Sequence, residues 1–195
     1  MVKLILASKS RIRKKILVEN YIDCEVVVSN VDEEPIKESL IAKGATPEII
    51  SKNLAELKAN KVSLARDETL VLGADSVIDL DGELISKPNN REEAFDILKK
   101  LNGKKHYLIS SVCISKNGAM IWNFTDRAEL EMKSFNDIEL KDYLKKIPNE
   151  KLYAYNVYQI EGPGKDLFKN INGNENTVMG LPINSIKKYL EGFKC

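Results

Sequence analysis

An aspartate stands in the most apolar stretch of the chain: Asp75 falls inside Leu70–Leu80, directly after Gly73-Ala74. A carboxylate there costs free energy unless it is paired, bound to a metal or turned toward a cleft. The bland alternative is an aspartate that ends a strand and caps a turn. Gly73 leaves room for a ligand or another backbone to come close. Asp32-Glu33-Glu34, before Pro35, reads as an acidic loop. It is either a solvated charge run or, across a cleft from Asp75, the second part of an oxygen-ligand site. Magnesium takes one or two carboxylates and completes its shell with water and phosphate. Lys58, on a helix, and Lys87, in Ser86-Lys87-Pro88, are two further cations that by themselves read as surface residues. Near the start, Leu4–Leu6 gives way to Ala7-Ser8-Lys9-Ser10 and then to the basic, helix-compatible Arg11-Ile12-Arg13-Lys14-Lys15. The first N–H groups of a helix lack internal partners and carry partial positive charge. Ser8 and Ser10 can cap those donors or bond an anion's oxygens. Arg11 and Arg13 add charge and the forked geometry that suits phosphate; the alternative is a basic, solvated helix. The whole set suits metal-assisted attack of water on a phosphate. Metal and Asp75 activate the water, while lysine and arginine stabilise the charge on phosphorus.

Other chemistries find little here. Thirty basic residues against 29 acidic leave a net charge of +1, so the basic cluster reads as a site rather than as a field for nucleic acid. Three cysteines (Cys24, Cys113, Cys195) are an odd number without metal-type spacing. They suggest reduced thiols and a cytoplasmic protein. No secretory signal is visible and no apolar run approaches the ~20 residues of a membrane span, so no membrane partner is expected. The P-loop pattern and the Gly-x-Ser-x-Gly elbow are absent, and no zinc ligand set exists. His106, the single histidine, is expected to bond within its strand, and Trp122 to pack in a hairpin.

The elements that must position these groups read as alternating strands and helices. Strands are expected at Leu4–Leu6, Glu25–Val28, Leu70–Leu80 and Glu83–Ile85, the last two joined by Asp81-Gly82. Thr46-Pro47-Glu48 starts a helix with Ile50, Leu54, Leu57 and Leu64 on its apolar face. Asn90 caps another, with Ala94, Ile97, Leu98 and Leu101 inward and Gly103 as its stop. A hairpin of Tyr107–Ser115 and Met120–Asn123 turns at Asn117-Gly118, and Ala128, Leu130 and Met132 alternate as a half-buried strand. Further on, a helix from about Asp137 to Ile147 ends before Pro148, Gly162-Pro163-Gly164 is a turn, Leu167–Ile171 a short strand, and a closing helix begins at Pro182 or Ile183 and runs through Leu190. The fold class is α/β, or mixed α+β, on one twisted sheet.

These residues resemble the Maf family of nucleotide pyrophosphatases. The similarity is carried in order by Leu-Ala-Ser8-Lys-Ser10-x-x-Arg13, Asp32-Glu33, Leu-Ala-Glu-Leu-Lys58-Ala, Gly73-Ala-Asp75-Ser76-Val and Asp-Gly-x-x-x-x-Lys87-Pro88. It continues through Arg91-Glu-Glu-Ala94, Leu101-Asn-Gly103-x-x-His106, Tyr158-Gln-Ile-Glu161-Gly162 and Gly180-Leu-Pro182, nearly the whole chain. The resemblance implies a single domain over residues 1–195 with the inosine-triphosphatase architecture: a long, bent mixed sheet with flanking helices and two lobes around a central cleft. It implies a cytoplasmic homodimer that hydrolyses a modified or non-canonical nucleoside triphosphate to monophosphate and pyrophosphate with Mg²⁺, Mn²⁺ or Co²⁺. In that reading Asp75 is the proton acceptor, Glu33 a metal or water ligand with Asp75, and Lys58 and Lys87 phosphate contacts. Ser8, Ser10 and Arg13 belong to the phosphate loop, and Ser76 and Glu161 to substrate binding. The specificity positions are mixed. Ile12 replaces an arginine associated with pyrimidine choice, Ser76 is close to that branch's threonine, and Glu161 matches the 7-methyl-GTP branch. Lys15 stands where many members carry an acid. A carboxylate at Glu161 accepts but cannot donate, which suits a base edge rich in N–H donors; alternatively it helps hold the metal. Rival readings are a purine pyrophosphatase of the inosine or xanthosine type and a nucleotide-binding regulator of cell division.

Overall fold

The computed structural model describes residues 3–193, leaving aside the side chains of Ala154 and Tyr155; the thiol expected at Cys195 lies outside the described residues. The elements in order are β1 (Leu4–Leu6), α1 (Arg11–Glu19), β2 (Cys24–Val26), α2 (Glu33–Ala42), α3 (Pro47–Ser63), β3 (Leu70–Leu80), β4 (Glu83–Ile85) and α4 (Arg91–Leu101). There follow β5 (Lys105–Lys116), β6 (Ala119–Met132), α5 (Asp137–Lys145), α6 (Asn149–Tyr155), a 3₁₀ turn (Pro163–Leu167), β7 (Phe168–Asn172), α7 (Glu175–Val178) and α8 (Ile183–Glu191). All seven strands form one mixed sheet in the order β2-β1-β3-β5-β6-β7, with β4 also on β3. The expected α/β class, a mixed sheet with flanking helices, is what the chain adopts.

The helix starts follow from their caps. Ser10, Thr46 and Asn90 each accept a backbone N–H of the first turn, and Asn136 forms a reciprocal capping box with Glu139. Unlike α2 to α5, α1 has no acidic residue in its first turn. Its positive end is therefore not neutralised by a carboxylate of its own first turn.

Several expectations are corrected. Glu33 and Glu34 are not loop residues: they open α2. Residues 119–132 are one strand paired with β5 throughout, with a bulge at Ile114/Ser115, rather than two strands. Helices α6 and α7 were not foreseen. Leu57 and Leu64 face solvent instead of the core. The register puts His106 opposite Leu130, but its ring bonds outside the strand, Nε2 lying 3.0 Å from the Tyr158 hydroxyl. Trp122 packs as expected, stacked on Tyr189 at 4.7 Å.

The sheet carries the feature that makes a cleft. On one edge β3 pairs with β5 from Val71 to Asp79. On the other it pairs with β1 only through Leu72 and with β4 only from Ile78. Residues 73–77 therefore have an open edge between two different partners, comparable to the crevice where an α/β sheet changes direction. The buried apolar residues likewise fall into two main clusters. One surrounds α4, α5 and the C-terminal half of β3, the other β1, α1 and α8.

Candidate active site

Strand alternation divides the residues of the gap between two faces. Gly73 and Asp75 turn toward α3, and Ser76 to the opposite side. The α3 side is tight. A Cβ on Gly73 would lie 2.2 Å from the Ala55 carbonyl oxygen and 2.7 Å from the Ala59 nitrogen, so the close approach anticipated there is that of another backbone. This contact brings Lys58 over Asp75, Nζ to Oδ1 at 2.7 Å, while Ser51 Oγ donates to the Asp75 carbonyl. Lys58 Nζ also lies 2.9 Å from Glu33 Oε1 at the start of α2. The ammonium thus bridges two carboxylates. Lys58 and Asp75 side chains are each 9% exposed, Glu33 34%. Asp75 Oδ2 is buried without a hydrogen-bond partner.

Electrostatics follow from this packing. Burial pushes the Glu33 carboxyl upward, but Lys58, by charge and hydrogen bond, with Lys37 and Lys87, outweighs it and holds it below the ordinary carboxylate range. Lys87 opens to solvent in the cleft yet is surrounded by its walls. That surrounding protein first, and the Arg13 guanidinium next, lower its pKa, against the pull of Asp75 and Glu33.

On the other face lies the N-terminal loop. Ser10 Oγ caps α1 by accepting from the Arg13 backbone, and Ser8 Oγ accepts the Ser10 N–H at 3.2 Å. The Arg13 side chain reaches across the gap. Its Nη1 donates to Ala74 O at 2.8 Å, Nη2 to Ser76 Oγ at 2.9 Å and Nε to Gly180 O at 2.9 Å. Arg13 thus satisfies a carbonyl that the open sheet edge leaves without a strand partner.

One cavity of about 370 Å³ joins these groups. Ser8, Ser10, Arg13, Glu33, Lys58, Asp75, Ser76, Lys87 and Glu161 all line it, as does Ile12; Asp32 and Glu34 do not. Glu161 is exposed and lines the cavity from the segment 156–161, with Tyr158 and Gln159. This volume falls in the range of small-molecule sites. Sequence reasoning missed Gly180, Met179 and Val178 as wall residues. Only Gly180-Leu-Pro182 in the family pattern pointed there.

Among the described residues no three His, Cys, Asp or Glu side chains gather as a metal cluster. The pair Asp75 and Glu33 nevertheless fits a hard divalent cation whose shell a phosphate would complete. Asp75 Oδ2 is an orphaned buried acceptor, and oxygen-only donors are what such an ion takes.

The strand-gap cleft of this α/β protein brings Arg13, Lys58 and Lys87 together with Glu33 and Asp75 beside the N-terminus of α1, a charge arrangement that suits a polyanionic small molecule. The model of the Maf-like protein family matches residues 3–193, and the chain belongs to that family. It is 64% identical over 195 residues to the nucleoside triphosphate pyrophosphatase of Pelagibacter ubique (strain HTCC1062), covering 100% of both chains. It is 34% identical to the 7-methyl-GTP pyrophosphatase of Brucella abortus biovar 1 (strain 9-941), covering 100% of this chain and 98% of the relative. Among solved structures, the Staphylococcus aureus Ham1 protein aligns over 67% of this chain and 71% of its own at 16% identity, with a TM-score of 0.45.

Proposed function

We propose that this chain hydrolyses a nucleoside triphosphate, modified or non-canonical in its base, to the monophosphate and pyrophosphate, and so clears it from the nucleotide pool. The observation that carries the reading is the Asp75–Lys58–Glu33 bridge facing Arg13 and the α1 N-terminus across one cavity. Arg13, Lys58 and Lys87 against Glu33 and Asp75 leave one net positive charge, and a triphosphate brings several negative ones. The imbalance favours a divalent cation (Mg²⁺, Mn²⁺ or Co²⁺) entering with the nucleotide. Asp75 and Glu33 would hold it, and when bound it supplies charge neutralisation and makes water more acidic.

Water attacks the α-phosphorus, the bond from that phosphorus to the bridging oxygen breaks, and pyrophosphate leaves. Asp75 accepts the water's proton. Lys58, Lys87 and Arg13 offset charge developing on the phosphate oxygens, and Ser8 and Ser10 orient them. Glu161, which lines the same cavity, accepts from the base. The 34% identical relative named for 7-methyl-GTP agrees with a donor-rich purine edge. The free thiols of Cys24 and Cys113 suit a reducing, cytoplasmic setting.

The test is product analysis across dTTP, UTP, CTP, GTP, ITP and 7-methyl-GTP with each metal, in ¹⁸O-labelled water. Pyrophosphate with label in the monophosphate is expected, and Asp75→Asn should lower turnover about 10²-fold or more. Nucleotide binding without any product would move the reading to a regulator. Release of inorganic phosphate instead would refute attack at the α position.

A further inference from the structure

Behind the cleft, one buried serine joins two of the groups that hold Arg13. Ser110 sits on β5 directly opposite Ser76 and is fully buried; it does not line the cavity. Its Oγ lies 2.8 Å from Ser76 Oγ and donates at 2.8 Å to the carbonyl oxygen of Thr177. A carbonyl only accepts, so the single proton of Ser110 points to Thr177. Ser76 must then donate to Ser110, and Arg13 Nη2 donates to Ser76. The chain Arg13 to Ser76 to Ser110 to Thr177 runs one way.

The other arm returns to Arg13. The Gly180 N–H donates to the same Thr177 carbonyl at 3.0 Å, and the Gly180 carbonyl accepts from Arg13 Nε. Thr177 is itself anchored to β6, its hydroxyl donating to Asp126 Oδ2 at 2.6 Å. Gly180 has φ +96°, and a Cβ there would stand 3.0 Å from Ser76 Oγ and 3.3 Å from Arg13 Nε. Only glycine lets this segment close on the guanidinium.

We propose that Ser110 is a positioning residue that fixes Arg13 in the cleft through both Ser76 and the Thr177–Gly180 segment. The proposal deepens the pyrophosphatase reading, on which its kinetic arm rests. With two acceptors tied to a buried hydroxyl, the guanidinium is aimed before a ligand arrives, and little ordering remains to be done on binding.

The test has two arms. In the substrate-free protein, the Arg13 Nε–H NMR signal, assigned by its loss in Arg13→Lys, is expected to be sharp. It should broaden or exchange rapidly in Ser110→Ala, with an intermediate effect in Ser110→Cys, which keeps the shape but bonds weakly. In the second arm, Ser110→Ala should lower kcat/KM about tenfold. The double variant Ser76→Ala/Ser110→Ala should then lose less than the product of the two single losses, because they share the Ser76 arm, yet more than Ser76→Ala alone, because Ser110 also holds Thr177. A merely structural serine would lower the melting temperature and give additive losses. An unchanged Arg13 signal in Ser110→Ala, or additivity in the cycle, overturns the proposal. Should Ser110→Ala fail to fold, Ser110→Cys decides in its place. If the wild-type protein releases no pyrophosphate, the functional reading fails, and the substrate-free NMR arm still decides the role of Ser110.

Discussion

Replacing Lys58 by methionine keeps most of the aliphatic stem and removes the charge that bridges Asp75 and Glu33. The cost is set by what is left behind. Asp75 loses its bond to Lys58 while its Oδ2 already lacks a partner, and both side chains of that pair are 9% exposed. Breaking a pair this buried by removing one member costs about 3–5 kcal/mol. Glu33, at 34% exposure, turns to water, so Glu33→Gln should cost no more than about 1 kcal/mol. Asp75→Asn falls between, at about 1–3 kcal/mol, because Lys58 keeps Glu33 at 2.9 Å and no isolated charge remains. The double variant Lys58→Met/Asp75→Asn should be about 2 kcal/mol or more better than the sum of the singles, since it removes both ends of the buried pair. Urea unfolding followed by Trp122 fluorescence and circular dichroism gives all four values. A Lys58→Met cost below about 1 kcal/mol, or strict additivity in the double variant, would show that Asp75 is solvated rather than paired.

Four further outcomes follow from the same structure. Gly73→Ala should destabilise by about 3 kcal/mol or prevent folding, because a Cβ 2.2 Å from the Ala55 carbonyl meets backbone that cannot rotate away; a wild-type melting temperature would contradict the α3–β3 contact. Burial depresses the His106 pKa from 6.5 to about 4, so on acidification the unfolded chain takes up a proton first. Stability present above pH 6.5 is lost as pH falls toward 4, by up to about 3 kcal/mol, and His106→Asn should flatten that limb of a pH-dependent unfolding series. Glu33, with its pKa lowered by Lys58, contributes stability above the ordinary carboxylate range that disappears at lower pH, so Glu33→Gln should change the slope only below about pH 4.5. Burial raises the Cys113 thiol to about 11, so mass spectrometry at pH 8 should find it unalkylated by iodoacetamide until the protein is unfolded; rapid native labelling would place it at the surface.

What could be read beforehand follows from the range over which each signal acts. Asp75 was legible because a carboxylate in an apolar run is costly whatever surrounds it, and the caps Thr46, Asn90 and Ser10 because they act within one turn. Asp32-Glu33-Glu34 before Pro35 reads as a loop, but Glu33 and Glu34 open α2. In the first turn of α2 the missing N–H of a proline is one of the donors that would have no partner anyway. The polar residues Asn123, Thr125, Asp126 and Arg127 interrupt the apolar pattern of 119–132, yet this part of β6 is only half-buried or exposed, and polar side chains suit it. Pro148 was read as an end, and it is also the N-cap from which α6 begins.

The cleft itself had no local signal. It exists because β3 exchanges β1 for β4 along one edge: β4 returns locally through a tight turn, but β1 comes from more than sixty residues away to pair with the other end. Ser110 was invisible for the same reason. Taken alone it is one small polar residue in a buried strand; its meaning comes from a register that sets it against Ser76 and a chain return that sets Thr177 beside both. The residue types that carry charge and chemistry can be nominated one at a time. The groups that aim them can be found only once the strand pairing is known, because a hydroxyl identifies itself by its partner rather than by its neighbours in sequence.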